Sequence, residues 1–334
     1  MATTREDLPE RHEGETLKNT RTISALNGFA LACVMALPAV AAQLSSDARS
    51  AIPKDLQQLI AVDYRAMQNS SAAMDLKNRV LPPELKQLED SLKSSGLNAS
   101  RDVDELAFAS FRVNGLEGTR IVGVAQGDFD VAAIRAKWLK QKVKYTKVRT
   151  NRIYPMGQSG ESVTFVNPTT MIFGSSEAVK AALDSRDGMA PSLLNNNSFM
   201  DAMQAVDTQA VWSVLDQEGT QFMMHSVLGQ ASQVTDYDAV KKRLLGSRYS
   251  MDFSNGVKFN LNVETPDAFT AGTMASLLNA AALYKKMSGT DAEKQAIGNT
   301  TVKSNADNLE VSFSASDSQF VSLLQSPLFQ AVVR

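Results

Sequence analysis

Cysteine occurs once in this chain, at Cys33, and histidine twice, at His12 and His225. A single thiol cannot form an intrachain disulfide framework or a cysteine-rich metal site, and two imidazoles are too few for a histidine-rich zinc site. Charge of one sign is also missing, since the formal net charge is −2. A chain so close to neutral is not a general nucleic-acid binder, because that affinity rests on neutralising phosphates. There is no low-complexity tract, no G-x-S-x-G nucleophile elbow, and no G-x-G-x-x-G. Gly157-Gln158-Ser159-Gly160 lacks the lysine and the spacing of a phosphate loop. No cofactor is implied.

What the chain does have is one apolar run, Ser24 to Gln43, free of charged residues. Lys18 and Arg21 precede it, and it closes on Pro38-Ala39-Val40-Ala41-Ala42, small residues in the arrangement a signal peptidase reads. Residues 1–42 are therefore expected to be an export signal cleaved near Ala41 or Ala42, leaving a periplasmic or secreted protein. The alternative is an inner-membrane tether formed by residues 24–42, although a spanning helix wants about twenty apolar residues and Asn27, Gly28 and Pro38 interrupt this one. Cys33 fits a lipidation site poorly, because the apolar run continues past it. Acidic residues outnumber basic ones before Leu17, so the basic start of the signal is expected only from that point on. Cleavage would remove both Cys33 and His12.

The remainder alternates strand and helix patterns. Leu59–Tyr64 reads as a buried strand and 72–95 as a helix split at Pro82-Pro83. Residues 105–113 and 119–126 read as a hairpin around Asn114–Gly118, and Asp130–Leu139 as a helix. A strand at 142–149, a hairpin 162–166/171–174 and a helix opening at Ser176 follow. From Ala210 the order returns: a strand, a helix through Leu228, a hairpin turning on Ser254-Asn255-Gly256, and a helix opening at Asp267. A last hairpin, 300–303/309–313, and a helix from Ser316 close the chain. The expected architecture is α+β, two tandem repeats at 43–205 and 206–334, each a mainly antiparallel sheet with helices packed on one face.

Met171–Asp184 (MIFGSSEAVKAALD), followed by Ser192–Asn195, Phe199 and the strand at Val211, resembles a segment of exported bacterial proteins of unknown function built from tandem α+β repeats. The resemblance spans roughly residues 160 to 216. It implies export and duplication and brings no catalytic residues.

Among candidate chemical groups, His225 sits on a predicted amphipathic helix with no nucleophile or carboxylate fixed beside it by sequence, and reads as a boundary residue. The acidic clusters Asp102-Asp104-Glu105 and Asp236-Asp238 are expected to be solvated turns. Fourteen methionines read as core filler, with an adaptable groove as the alternative. The most pointed feature is a basic run. Arg135, Lys137, Lys140, Lys142, Lys144, Lys147, Arg149 and Arg152 have no acidic residue between Val131 and Gly160. Two roles suit it: protection of an exposed sheet edge, or docking of an anionic envelope component or protein through Lys142, Lys144, Lys147, Arg149 and Arg152. The function expected is a non-catalytic exported binding or structural protein, with a carboxylate- or serine-dependent hydrolase acting between the repeats as the alternative.

Overall fold

A computed structural model describes residues 43–80, 82–113, 118–156, 160–228, 237–327 and 329. Apart from Gln43, the apolar run, Cys33 and His12 lie outside the described residues, as do most of the turn at 114–118, Gly157–Ser159 and Asp236. Among the described residues no helix is long and apolar enough to cross a membrane.

Chain order is α1 (Ser46–Ala51), β1 (Leu56–Asp63), α2 (Tyr64–Met67), α3 (Ser71–Val80), α4 (Pro83–Ser94), α5 (Ala99–Asp102), β2 (Val103–Arg112) and β3 (Thr119–Gly127). Then come α6 (Val131–Lys140), β4 (Thr146–Val148), β5 (Asn151–Met156), β6 (Glu161–Asn167), β7 (Thr170–Ser175), α7 (Ser176–Arg186), a 3-10 turn (Leu193–Asn195) and α8 (Asn197–Gln204). The rest is β8 (Val211–Leu215), α9 (Gln217–Leu228), α10 (Tyr237–Lys241), β9 (Gly246–Asp252), β10 (Val257–Glu264), α11 (Ala268–Ser288), α12 (Asp291–Gly298), β11 (Thr300–Asn305), β12 (Asn308–Ala315) and α13 (Asp317–Leu324).

The strands form one antiparallel sheet of twelve, in the order β11-β12-β10-β9-β8-β1-β2-β3-β7-β6-β5-β4. This differs from the expectation of one sheet per half. β1 pairs directly with β8, Leu59 opposite Val214 and Ala61 opposite Trp212, so the halves share a single hydrogen-bonded surface. Arg112 at the end of β2 adds ion pairs to Asp216 and Glu218 of the other half, at 2.7 Å each. Outward from the β1–β8 pair, one side runs β2, β3, β7, β6 and the other β9, β10, β12, β11; β5 and β4 extend the first side.

Strand residues alternate between two cores, as the pleat requires. Ile60 and Val62 of β1, Phe108 of β2 and Phe173 of β7 join the core roofed by α2–α4, α6, α9–α11 and α13. Leu59 and Ala61, with Ala107, Val122 and Ile172, join the opposite core beneath α1, α7 and α8. Helices thus cover both faces of the N-terminal half, whereas one face was expected. The reason is in the sequence: β1 is buried at seven of its eight positions, and a strand apolar on both sides needs cover on both. The outer strands β9 and β10 alternate instead, with Arg248, Ser250, Lys258 and Asn260 facing away from the core. Gly123 of β3 leaves space for the ring of its partner Phe173, which a Cβ there would meet at 2.1 Å.

Candidate functional site

The basic run begins on α6. The Asp130 side chain caps this helix by accepting from the Ala133 amide at 2.9 Å, and Ile134 and Trp138 turn inward. Lys137 and Lys140 occupy the last turn, where cations complement the carbonyl end of the helix. Lys142 then takes a left-handed conformation (φ 57°), and the Val143 amide donates to the Trp138 carbonyl at 2.9 Å.

The chain next forms the tight β4–β5 hairpin, which is the terminal edge of the sheet. Its register sets Thr146 opposite Ile153, Lys147 opposite Arg152, and Val148 opposite Asn151. Two cations directly across an antiparallel pair repel each other. Lys142, Lys144, Lys147 and Arg152 are all exposed, and among the described residues no carboxylate lies within ion-pair distance of them. Arg152 instead lies over the Tyr145 ring at 4.9 Å. Tyr145 packs on Tyr154 at 5.4 Å, and Tyr154 on the buried Trp138 at 4.3 Å. The hairpin is therefore anchored to the core by an aromatic ladder that ends in a surface guanidinium. Arg149 stands apart from the other four. At the hairpin turn (φ 52°) it pairs with Asp184 of α7 and with Asp187 at the C-cap of that helix, so its charge is already neutralised.

Glu105 corrects the expectation that Asp102, Asp104 and Glu105 form a solvated turn. Asp102 ends α5, pairs with Arg101 and accepts from the Asn98 amide. Burial opposes its ionisation, but these bonds outweigh that and hold its carboxyl below the usual range. Asp104 pairs with Arg65 at the surface. Glu105 is 1 % exposed, on the β2 face that looks toward α1. Its register partners are Asp63 on β1 and Gln126 on β3. Gln126 Nε2 donates to its carboxyl, and Gln126 Oε1 accepts from the Ser45 amide at the N-cap of α1. Burial, then the charges of Asp63 and Asp207, push Glu105 up to about 9, while Arg49 pulls the other way. Arg49 itself leaves Nε buried without a hydrogen bond. Alternation was the available signal: Glu105 is followed at every second position by Ala107, Ala109 and Phe111, all three apolar and on one face.

His225 is exposed on α9, its ring 6.1 Å from that of Tyr237. Among the described residues no group of three or more His, Cys, Asp or Glu side chains could hold a metal ion.

Two cavities add to this inventory. One is shallow and open, beside Ser50, Lys54 and the 185–195 segment. The other, about 80 Å³, lies between α4 and the sheet, lined by Leu85, Leu88, Leu92, Phe108 and Phe173. Tyr64, Lys77 and Glu89 also line it. Lys77 Nζ donates to Tyr64 Oη and to Glu89 Oε1, both at 2.8 Å. Burial alone would lower the Lys77 pKa; these two bonds outweigh it and raise the value, so the ammonium stays charged.

No family model matches the chain. No curated protein matches it either. Solved structures of TP0453, a Treponema protein, are similar at low identity. Crystal form I shares 12 % identity over 84 % of this chain and 97 % of that one, with a TM-score of 0.48. Crystal form III shares 11 % over 83 % and 96 %, with a TM-score of 0.47.

Proposed function

We propose that this protein is an exported, non-catalytic binding module of the bacterial envelope that docks an anionic partner through the β4–β5 edge. One observation carries the reading. Lys147 and Arg152 face each other across the hairpin with Lys142 and Lys144 beside them, and no described acidic side chain neutralises the four. Like charges held together oppose folding, and a bound anion relieves that repulsion. Edge protection alone asks for one or two lysines; it does not ask for an arginine stacked on an aromatic ladder. Export rests on residues 24–42 of the sequence.

The same reading treats the halves as tandem copies. Its support is the common outward strand order, with a helix between third and fourth strands on each side (α6 and α11) and a terminal helix (α7 and α13).

The hydrolase alternative draws on Glu105, whose raised pKa is of the kind a general acid needs. Against it, Glu105 faces α1, and neither cavity is lined by it. The test of the docking reading is co-sedimentation with host envelopes at low salt. The wild-type protein is expected to pellet and the triple variant Lys142→Glu/Lys144→Glu/Lys147→Glu to stay in solution while folded, with thermal stability no lower than that of wild type because a glutamate at position 147 would face Arg152. Equal pelleting of the two overturns the reading.

A further inference from the structure

We propose that the cavity under α4 is a binding site for a single-chain anionic amphiphile, its carboxylate on Lys77 and its hydrocarbon tail among Leu85, Leu88, Leu92, Phe108 and Phe173. The inference is independent of the basic hairpin, because it concerns different elements and a different chemistry.

The walls come first. Apart from Tyr64, Lys77 and Glu89, every lining residue is an aliphatic, aromatic or thioether side chain or alanine. At about 80 Å³ the space holds roughly six water-sized groups, but a water needs two to four polar partners. A partly open space walled this way favours hydrocarbon over water.

The polar end is the second observation. Lys77 is 8 % exposed, and its ammonium lies 5.1 Å from the Tyr64 ring centroid as well as bonding to that hydroxyl. Its only carboxylate partner among the described residues is Glu89, and the two ends of this ion pair differ in burial. The Lys77 side chain is 10 % exposed and that of Glu89 37 %. A buried ammonium is costly without an anion, so Lys77 must keep one. Glu89, the more exposed end of the pair, is the half that can swing out and be replaced. A carboxylate arriving from the cavity would take its place on Nζ and Tyr64 Oη while its tail stayed out of water. Each methylene buried raises the affinity about fourfold, so chain length as well as charge sets the affinity. A cationic or zwitterionic head would place a positive charge against Lys77, and the site therefore selects monoanions.

The experiment is calorimetric titration of the purified protein with hexanoate and, separately, with neutral hexanol. Saturable one-to-one binding of hexanoate is expected. Lys77→Met should weaken hexanoate at least tenfold and leave hexanol unchanged. Glu89→Gln, which removes the competing carboxylate without adding bulk, should tighten hexanoate several-fold. The second variant keeps the assignment open to refutation if Lys77→Met fails to fold. Absence of saturable hexanoate binding to wild type overturns the site. Unchanged hexanoate affinity in Glu89→Gln, or tighter binding of hexanol than of hexanoate, overturns the placement of the head group.

Discussion

Glu105→Gln should make the protein more stable above pH 5 and flatten its pH dependence. In the unfolded chain a glutamate releases its proton near the ordinary value of 4.5, whereas in the native protein burial and the neighbouring charges of Asp63 and Asp207 hold the proton up to about 9. Between those values the native state binds more protons than the unfolded one, so stability falls as pH rises. Each unit is worth about 1.4 kcal/mol, so from pH 4.5 to pH 7 this single group removes roughly 3 kcal/mol. Stability is fullest below the unfolded value and is lost progressively up to about 9. Glutamine keeps the shape, and its carbonyl oxygen can still accept from Gln126 Nε2, but it has no proton to lose. Urea unfolding at pH 5, 7 and 8 measures the difference. The two proteins should be similar at pH 5, and the variant should lead by about 3 kcal/mol at pH 7. Parallel pH profiles for the two proteins would refute the placement of Glu105 in a buried, like-charged site.

Ser95→Ala leaves the buried indole N–H of Trp138, now donating to Ser95 Oγ at 2.7 Å, without a partner, and should destabilise by about 1–3 kcal/mol in chemical denaturation. Trp138→Ala removes the root of the aromatic ladder; a loss of about 3–5 kcal/mol is expected, with the hairpin amides exchanging faster in hydrogen-exchange measurements. Gly123→Ala forces a Cβ into the Phe173 ring and should cost about 1–3 kcal/mol in denaturant midpoint. Arg149→Ala should lower the denaturant midpoint only slightly through loss of its exposed pairs with Asp184 and Asp187, yet leave salt-sensitive binding to anionic probes unchanged.

Element order was largely readable because the hairpins carry their own signals. Asn255-Gly256 announces β9–β10, and Asp130, Asp267 and Ser316 cap helices where polar caps precede apolar periodicity. The union of the halves was not readable. Val211–Leu215 and Leu56–Asp63 are both mainly apolar and almost wholly buried strands, and nothing local says that they pair with each other. β5 escaped because Pro155 and Arg152 disguise a short strand, tolerated here near a sheet edge. The short α1 and α12 carry too few apolar positions to stand out. At the sites, the basic run was legible as composition, but only the register reveals that Lys147 opposes Arg152 and that Arg149 is already neutralised. Glu105 was legible in principle from its alternating neighbours. Lys77 was not: its burial depends on α4 folding back over α3 and the sheet, a long-range outcome with no sequence pattern of its own.

The most direct measurement of the central claim is affinity for an anionic polymer as a function of salt, for wild type and for Lys142→Glu/Lys144→Glu/Lys147→Glu. Docking through the β4–β5 edge requires that log affinity fall steeply with log salt for wild type and that the variant show neither the affinity nor the slope. A variant that binds as wild type does across the same salt range would contradict the account.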